Sequence, residues 1–197
     1  MRPMKHHSPA TAISVYTDVF TESAASDFVE AIEKEIKSGF SDLSWAQSAV
    51  GDIAQVTQHR TSLSCSMIPL MPPYEPTELS EIFTSNIRNP IEMATADYRL
   101  QHLLPHGAHE PYGLLKYIGG GEYHAHHDHG PDNSRVWSMV AFILSPESGG
   151  ELEFPLFDFS VEPKCGTVVC FPANFPYAHI AHPVTGGIKY SLVTWFK

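Results

Sequence analysis

The sequence predicts an α+β fold, with helices in its first part and a β-rich second part that closes as a sandwich or jelly-roll barrel. Two observations predict it. Apolar residues recur at helical spacing between positions 21 and 104. From Tyr112 onward they fall instead into short runs separated by Gly, Pro, Asp and Asn, the texture of many short strands.

The elements follow in order. After a polar lead-in, Ile13 to Phe20 reads as a first strand. Thr21 supplies an N-cap hydroxyl and Glu22 a negative charge in the first helical turn. Ala25, Val29, Ile32 and Ile36 mark the apolar face of that helix, and Gly39 is its stop. Residues 53 to 67 look extended, with Val56, Thr61 and Leu63 among polar positions. Pro72-Pro73-Tyr74-Glu75-Pro76 is a rigid connector, and residues 66 to 76 are a candidate lid. Leu79, Ile82 and Phe83 open a second helix. Asn89-Pro90 is expected to interrupt it, because proline disfavours helical geometry in the residue before it. Ile91 to Leu104 then forms a third helix. Strands are expected at 112–118, 123–128, 136–144, 151–154, 167–171, 179–182 and 188–196.

Composition narrows the function. The 197 residues suit one domain, and a net charge of −10 disfavours a phosphate backbone as partner. No nucleic acid is expected. No run of about eighteen apolar residues suggests a membrane span, and residues 1–10 do not resemble a secretory leader. Cys65, Cys165 and Cys170 are odd in number and lack a metal-type spacing. They read as reduced thiols of a cytoplasmic protein.

Histidine is where the pattern becomes specific. His124, His126, His127 and His129 lie within six residues. On a strand, residues two apart share a face, so His126 and Asp128 reach one ion while His127 points away. Two imidazoles and a carboxylate form the facial triad of non-haem iron sites, and His179 and His182 are the candidates for the second imidazole. An isolated H-x-D pair recurs by chance, and His124 reads as a solvated side chain on the same face.

The surrounding order adds weight. Tyr117, Gly120, Tyr123, His126 and Asp128 precede Arg135 and Gly149-Gly150-Glu151-Leu152-Glu153-Phe154. Gly166 to Phe171 follows, and then His179 with Pro183, Val184, Thr185, Gly187 and Lys189 behind it. This series resembles the prolyl 4-hydroxylase-like branch of the 2-oxoglutarate/Fe(II) oxygenases from Tyr112 to Lys197. Upstream the likeness thins to Arg60-Thr61-Ser62 and the helical pattern. The resemblance implies a double-stranded β-helix core over residues 112–197. Residues 1–111 become a strand and helical support region of the same domain. It implies Fe(II) held by His126, Asp128 and His179, with His182 structural or at the surface. The cosubstrates would be 2-oxoglutarate and dioxygen, and ascorbate the reductant. Lys189 stands where the family pairs a cation with the distal carboxylate of 2-oxoglutarate, as a point charge rather than an arginine fork. Ser191, on the same strand face, and the Tyr117 phenol would join it.

The implied reaction hydroxylates an unactivated carbon, foremost a prolyl residue in a peptide or protein, and otherwise a free amino acid or other small molecule. Halogenating relatives lack the carboxylate, so Asp128 favours hydroxylation. Arg135 and Trp195 are candidates for touching substrate, although each also suits a fold-supporting role. Gly149-Gly150 reads as a tight turn with positive φ at one position. Gly119-Gly120-Gly121 lacks the phosphate-loop pattern and reads as a mobile pocket edge.

Two rivals use other chemistry. A cupin-like metal-binding barrel without oxygenase activity would use His127 and His129, on the opposite strand face, but its later glutamate and second motif are missing. A zinc hydrolase would suit three ligands with open positions, yet no general base is evident.

Overall fold

The computed structural model describes residues 4–39, 41–48, 60–130 and 134–197. The part of the expected extended segment before Arg60, Val56 included, lies outside the described residues.

The chain begins with strands β1 (Lys5–Ala10) and β2 (Ile13–Thr17), then helix α1 (Glu22–Ser38). Strands β3 (Ala46–Gln47) and β4 (Leu63–Ser66) precede helices α2 (Glu78–Ile82) and α3 (Asn89–Gln101). The β-rich part opens with β5 (Gly113–Ile118), β6 (Tyr123–His126) and β7 (Trp137–Leu144). It continues with β8 (Ser148–Gly149), β9 (Leu152–Phe154), β10 (Phe159–Val161) and β11 (Thr167–Pro172). It ends with β12 (His179–Ala181), β13 (Val184–Gly186) and β14 (Ile188–Phe196).

Among the described residues, the larger sheet runs β1-β2-β11-β7-β14-β5-β4-β3 and the smaller β10-β9-β12-β6, with a β13-β8 ribbon beside them. Period-two alternation sorts the larger sheet's side chains onto two faces. Tyr16, Met139, Ala141, Ile143, Val168, Cys170, Tyr190 and Leu192 pack with the helices. Val15, Phe142, Val169 and Phe171 meet Leu152, Phe154 and Val161 of the smaller sheet. The result is a mostly antiparallel jelly-roll core with helices on one side.

Helix α1 forms as its residues dictate. Thr21 Oγ1 accepts the Ala24 N–H at 3.2 Å, and Gly39 ends the helix in the left-handed region at φ 67°. Ala25, Phe28, Val29 and Ile32 are buried. Each large apolar side chain hidden this way contributes about 1.5–3 kcal/mol. Glu33 ties the helix to the sheet, accepting from Lys116 Nζ and Tyr190 Oη at 2.7 Å each.

Three expectations are corrected here. The polar lead-in is strand β1. It lies at the sheet edge with exposed side chains at residues 5–8, so it needs no apolar alternation. Asn89-Pro90 does not interrupt the helix, which runs on through a π-helical stretch, Phe83–Arg88. There the Asn89 N–H reaches back five residues to the Thr84 carbonyl. The wider turn accommodates Pro90, which lacks an N–H and would crowd the preceding turn of a regular helix. The third helix ends at Gln101 rather than Leu104.

Residues 66–76, the candidate lid, lie against the helical side of the sheet. Met67 and Leu70 are buried with the helices, and none of these residues lines the pocket described below. Cys65 and Cys170 are buried thiols, Cys165 is half-buried, and all three are unpaired. Among the described residues no helix is long and apolar enough to cross a membrane.

Candidate metal and cosubstrate site

His126 ends β6 and His179 begins β12, and the two are direct partners across the antiparallel pair. Such partners lie about 4.5–5.5 Å apart at Cα, so a residue near position 126 meets one fifty-three positions later. Asp128 sits just beyond the end of β6. Its Oδ1 is 3.6 Å from His126 Nε2, and its Oδ2 is 3.7 Å from His179 Nε2. These separations exceed a good hydrogen bond, yet all three ligand atoms lie within 4.8 Å of one another. One ion can touch all three.

The imidazoles are presented in the correct form. His126 Nδ1 lies 2.7 Å from the His124 carbonyl, and His179 Nδ1 lies 3.3 Å from that of Tyr177. A carbonyl only accepts, so each Nδ1 carries a proton and Nε2 is the ring atom left to face an ion. Burial pushes the His179 pKa down to about 4, against the pull of the neighbouring Asp128. It is neutral at pH 7. Burial alone would raise the Asp128 pKa, but His179, His126 and the Ser138 hydroxyl hold it below the ordinary carboxylate range. The donor set is two imidazole nitrogens and one carboxylate oxygen, a combination that suits iron(II).

Aromatic and hydroxyl contacts fix this geometry. Tyr123 stacks on His126 with ring centroids 3.5 Å apart, and Arg60 covers the other face of Tyr123 at 4.6 Å. Phe171 meets His179 edge-on at 4.7 Å. Ser138, facing the pocket from β7, donates to Asp128 Oδ2 at 2.6 Å. Sequence reasoning gave neither Ser138 nor Phe171 a role at the ligands. Only the register of β7 and β11 brings them to the ligands.

The pocket continues toward β14, between Leu115, Tyr117, Val140, Phe142 and Val193. Lys189 is 2% exposed, and its Nζ donates to the Gly150 carbonyl at 2.7 Å. The same ammonium lies 4.2 Å from the Tyr117 ring centroid, because Lys189 and Tyr117 are register partners on β14 and β5. Burial lowers its pKa to about 8, with Glu151 opposing the shift. Ser191 lines the same pocket, 2% exposed, and its hydroxyl has no hydrogen-bond partner. A buried cation and an unsatisfied hydroxyl lining one pocket can together receive a carboxylate.

The remaining expected residues divide. His182 stands apart, 2.5 Å from Glu153 Oε2. Arg135 is engaged by Glu110, with Nε to Oε1 at 2.9 Å and Nη2 to Oε2 at 2.6 Å. Its guanidinium lies 3.7 Å from the Trp195 ring centroid. Trp195 lines the pocket and Arg135 does not, so Arg135 braces the wall that Trp195 presents. His129 faces the Arg135 carbonyl through Nδ1 at 2.9 Å. Among the described residues, His126, Asp128 and His179 form the one group arranged to hold a metal, and neither His127 nor His129 joins it. That removes the ligand set a cupin-like barrel would use. Gly149 and Gly150 both have positive φ, at 74° and 82°, where one had been expected. These two successive left-handed residues lie where the chain leaves β8 for β9.

Known proteins resemble this chain in part of its sequence and in its fold. A family model described as "2OG-Fe(II) oxygenase superfamily" matches residues 112–197. Residues 112–197, somewhat under half of the chain, are thus similar to the 2-oxoglutarate/Fe(II) oxygenases. A curated relative, "Probable prolyl 4-hydroxylase 9" of Arabidopsis thaliana, is 27% identical over 124 residues, covering 48% of this chain. The match spans 43% of that relative's length. Among solved structures, a Pseudomonas putida prolyl-4-hydroxylase superposes with a TM-score of 0.70 at 17% identity, over 94% of this chain and 92% of that one. The viral collagen prolyl hydroxylase of Paramecium Bursaria Chlorella virus-1, solved as a 2OG complex, gives 0.68 at 18%, over 93% and 94%. A Trichoplax adhaerens prolyl hydroxylase, solved with a hypoxia inducible factor peptide fragment, gives 0.71 at 14%, over 94% and 83%.

Proposed function

We propose that this protein is an iron(II)- and 2-oxoglutarate-dependent dioxygenase that hydroxylates a prolyl residue in a peptide or protein. The observation that carries the reading is the convergence of His126, Asp128 and His179 in one pocket with buried Lys189 and the unpartnered Ser191 hydroxyl. The peptide and the prolyl residue are supported by the relatives, whose names describe prolyl hydroxylases.

His126, Asp128 and His179 would hold iron(II). Bound there with 2-oxoglutarate and dioxygen, iron supplies the oxidation: the cosubstrate loses carbon dioxide and becomes succinate, and one oxygen atom enters a substrate C–H bond. The chain's residues orient these partners. Lys189 neutralises the distal carboxylate, Ser191 donates a hydroxyl hydrogen bond to it, and the Tyr117 phenol lies on the same side. Leu115, Val140, Phe142 and Val193 exclude water around the cosubstrate's carbon chain. Trp195, held under Arg135, forms the substrate-side wall. Ascorbate is the reductant that would restore iron(II). We read the jelly roll as a double-stranded β-helix over residues 112–197, with 1–111 as its support. The three unpaired thiols favour a reducing compartment such as the cytoplasm.

Incubating a proline-bearing peptide library with the protein, iron(II), 2-oxoglutarate and ascorbate tests the reading by mass spectrometry. The expected result is a gain of one oxygen atom on a prolyl residue, matched by succinate formation. Oxygen gain on free amino acids with none on any peptide would move the substrate to the small-molecule class. Absence of succinate under every condition would reject the reaction.

The choice of distal histidine has its own check. His179→Ala is expected to lower iron affinity by more than about 100-fold, beyond the loss typical of groups that merely support a ligand. His182→Ala is expected to stay within a few-fold of the parent. Metal titration of both variants decides, and the reverse order would reassign the ligand.

A further inference from the structure

We propose that Gly150 is a positioning residue for the cosubstrate: its carbonyl oxygen holds the Lys189 ammonium where that ammonium meets a carboxylate entering the pocket. This rests on the reading of Lys189 as the cosubstrate anchor, and it names the group that decides where the anchor stands.

A lysine side chain has four rotatable bonds and no fixed direction of its own. Here the ammonium is buried and must satisfy three N–H donors. One goes to Gly150 O at 2.7 Å, and the Tyr117 ring at 4.2 Å provides a second attractive wall. Neither contact neutralises a full charge, so the ammonium stays held yet available to an anion.

The carbonyl is aimed by the turn that carries it. Gly150 donates its N–H to the Pro183 carbonyl at 3.0 Å, and β8 pairs with β13 at Gly149–Val184. A Cβ at Gly149 would meet Pro183 O at 2.3 Å, so the ribbon closes only with glycine there. A Cβ at Gly150 would lie 3.1 Å from both Lys189 Cδ and Val184 Cγ2, and 3.3 Å from Lys189 Nζ. With φ at 82°, a side chain at Gly150 is disfavoured twice over. It strains the turn and pushes on the lysine it should hold. Gly150 therefore gives Lys189 both an acceptor and the space beside it, and the same turn ties that acceptor to the segment joining His179 to Lys189.

A double-mutant cycle on the manganese-loaded, oxygen-free protein tests this, with 2-oxoglutarate affinity read by calorimetry. Gly150→Ala should weaken 2-oxoglutarate binding by at least about tenfold, the scale for a group that orients a ligand-binding side chain. Manganese affinity should not change. In a Lys189→Ala background the same substitution should add less than about twofold, because its effect passes through the lysine. Unchanged affinity in Gly150→Ala, or a full additive loss on Lys189→Ala, overturns the proposal. If Lys189→Ala itself binds 2-oxoglutarate like the parent, the cosubstrate reading fails instead. Should Gly150→Ala not fold, the unsubstituted protein gives the answer by NMR. Labelled with lysine ¹⁵N and glycine ¹³C carbonyl, it should show a coupling across the Nζ–H···O=C bond to Gly150 that persists at saturating 2-oxoglutarate. Its absence at saturation overturns the assignment.

Discussion

Asp128→Ala is expected to abolish hydroxylation and to lower iron affinity by more than about 100-fold, exceeding the loss from removing a group that only supports a ligand. The reason is charge as much as geometry. Asp128 contributes the sole carboxylate of the group, beside two imidazoles that bring no negative charge. Without it, a divalent cation would enter a buried site with no compensating negative charge. Alanine also leaves the Ser138 hydroxyl, 1% exposed, without its acceptor. Iron titration separates this from a substrate defect, since the loss should appear with no substrate present. Turnover at the parent rate would remove Asp128 from the site.

Lys189→Ala is expected to raise the KM for 2-oxoglutarate by about 30-fold or more while iron affinity holds, since truncating one partner of a buried charge pair costs about 2–5 kcal/mol. The same residue predicts two opposite pH dependences. Anion binding needs the ammonium, whose pKa in the free protein is lowered to about 8 by burial. Affinity for 2-oxoglutarate should therefore be about tenfold weaker at pH 9 than at pH 7. Folding responds in the other direction. The buried charged form is disfavoured relative to the unfolded chain, and that penalty is fully present below pH 8. It is relieved as pH rises from about 8 toward the ordinary lysine value of 10.5. Lys189's contribution to ligand-free stability thus improves over the window in which cosubstrate affinity declines. Calorimetric titrations and thermal melts across pH 7 to 10 check both, and affinity that stays flat to pH 10 would take Lys189 out of the carboxylate site.

Much of the site was legible because its chemistry sits in short spacings. The H-x-D pair declared itself through strand alternation, and Lys189 through a charge near one end of an otherwise apolar strand. Thr21 and Gly39 marked the ends of α1 because capping is local chemistry. Other features depended on partners far along the chain. A polar segment such as residues 5–8 is a strand only because β2 offers it an edge. Asn89-Pro90 looks like a break until a π turn widens the helix before it. The Glu110 and Trp195 contacts of Arg135, a candidate for substrate, likewise depend on residues far along the chain.

The sequence by itself determined the donor types, their order and the strand faces they share, since alternation and side-chain chemistry are properties of neighbouring residues. Only the tertiary structure groups one of the two distal histidines with the H-x-D pair, by placing His179 opposite His126 and His182 against Glu153. It alone showed that Lys189 is buried against Gly150 and Tyr117. Register between distant strands sets such contacts, and a shift of one residue would turn every one of these side chains to the other face.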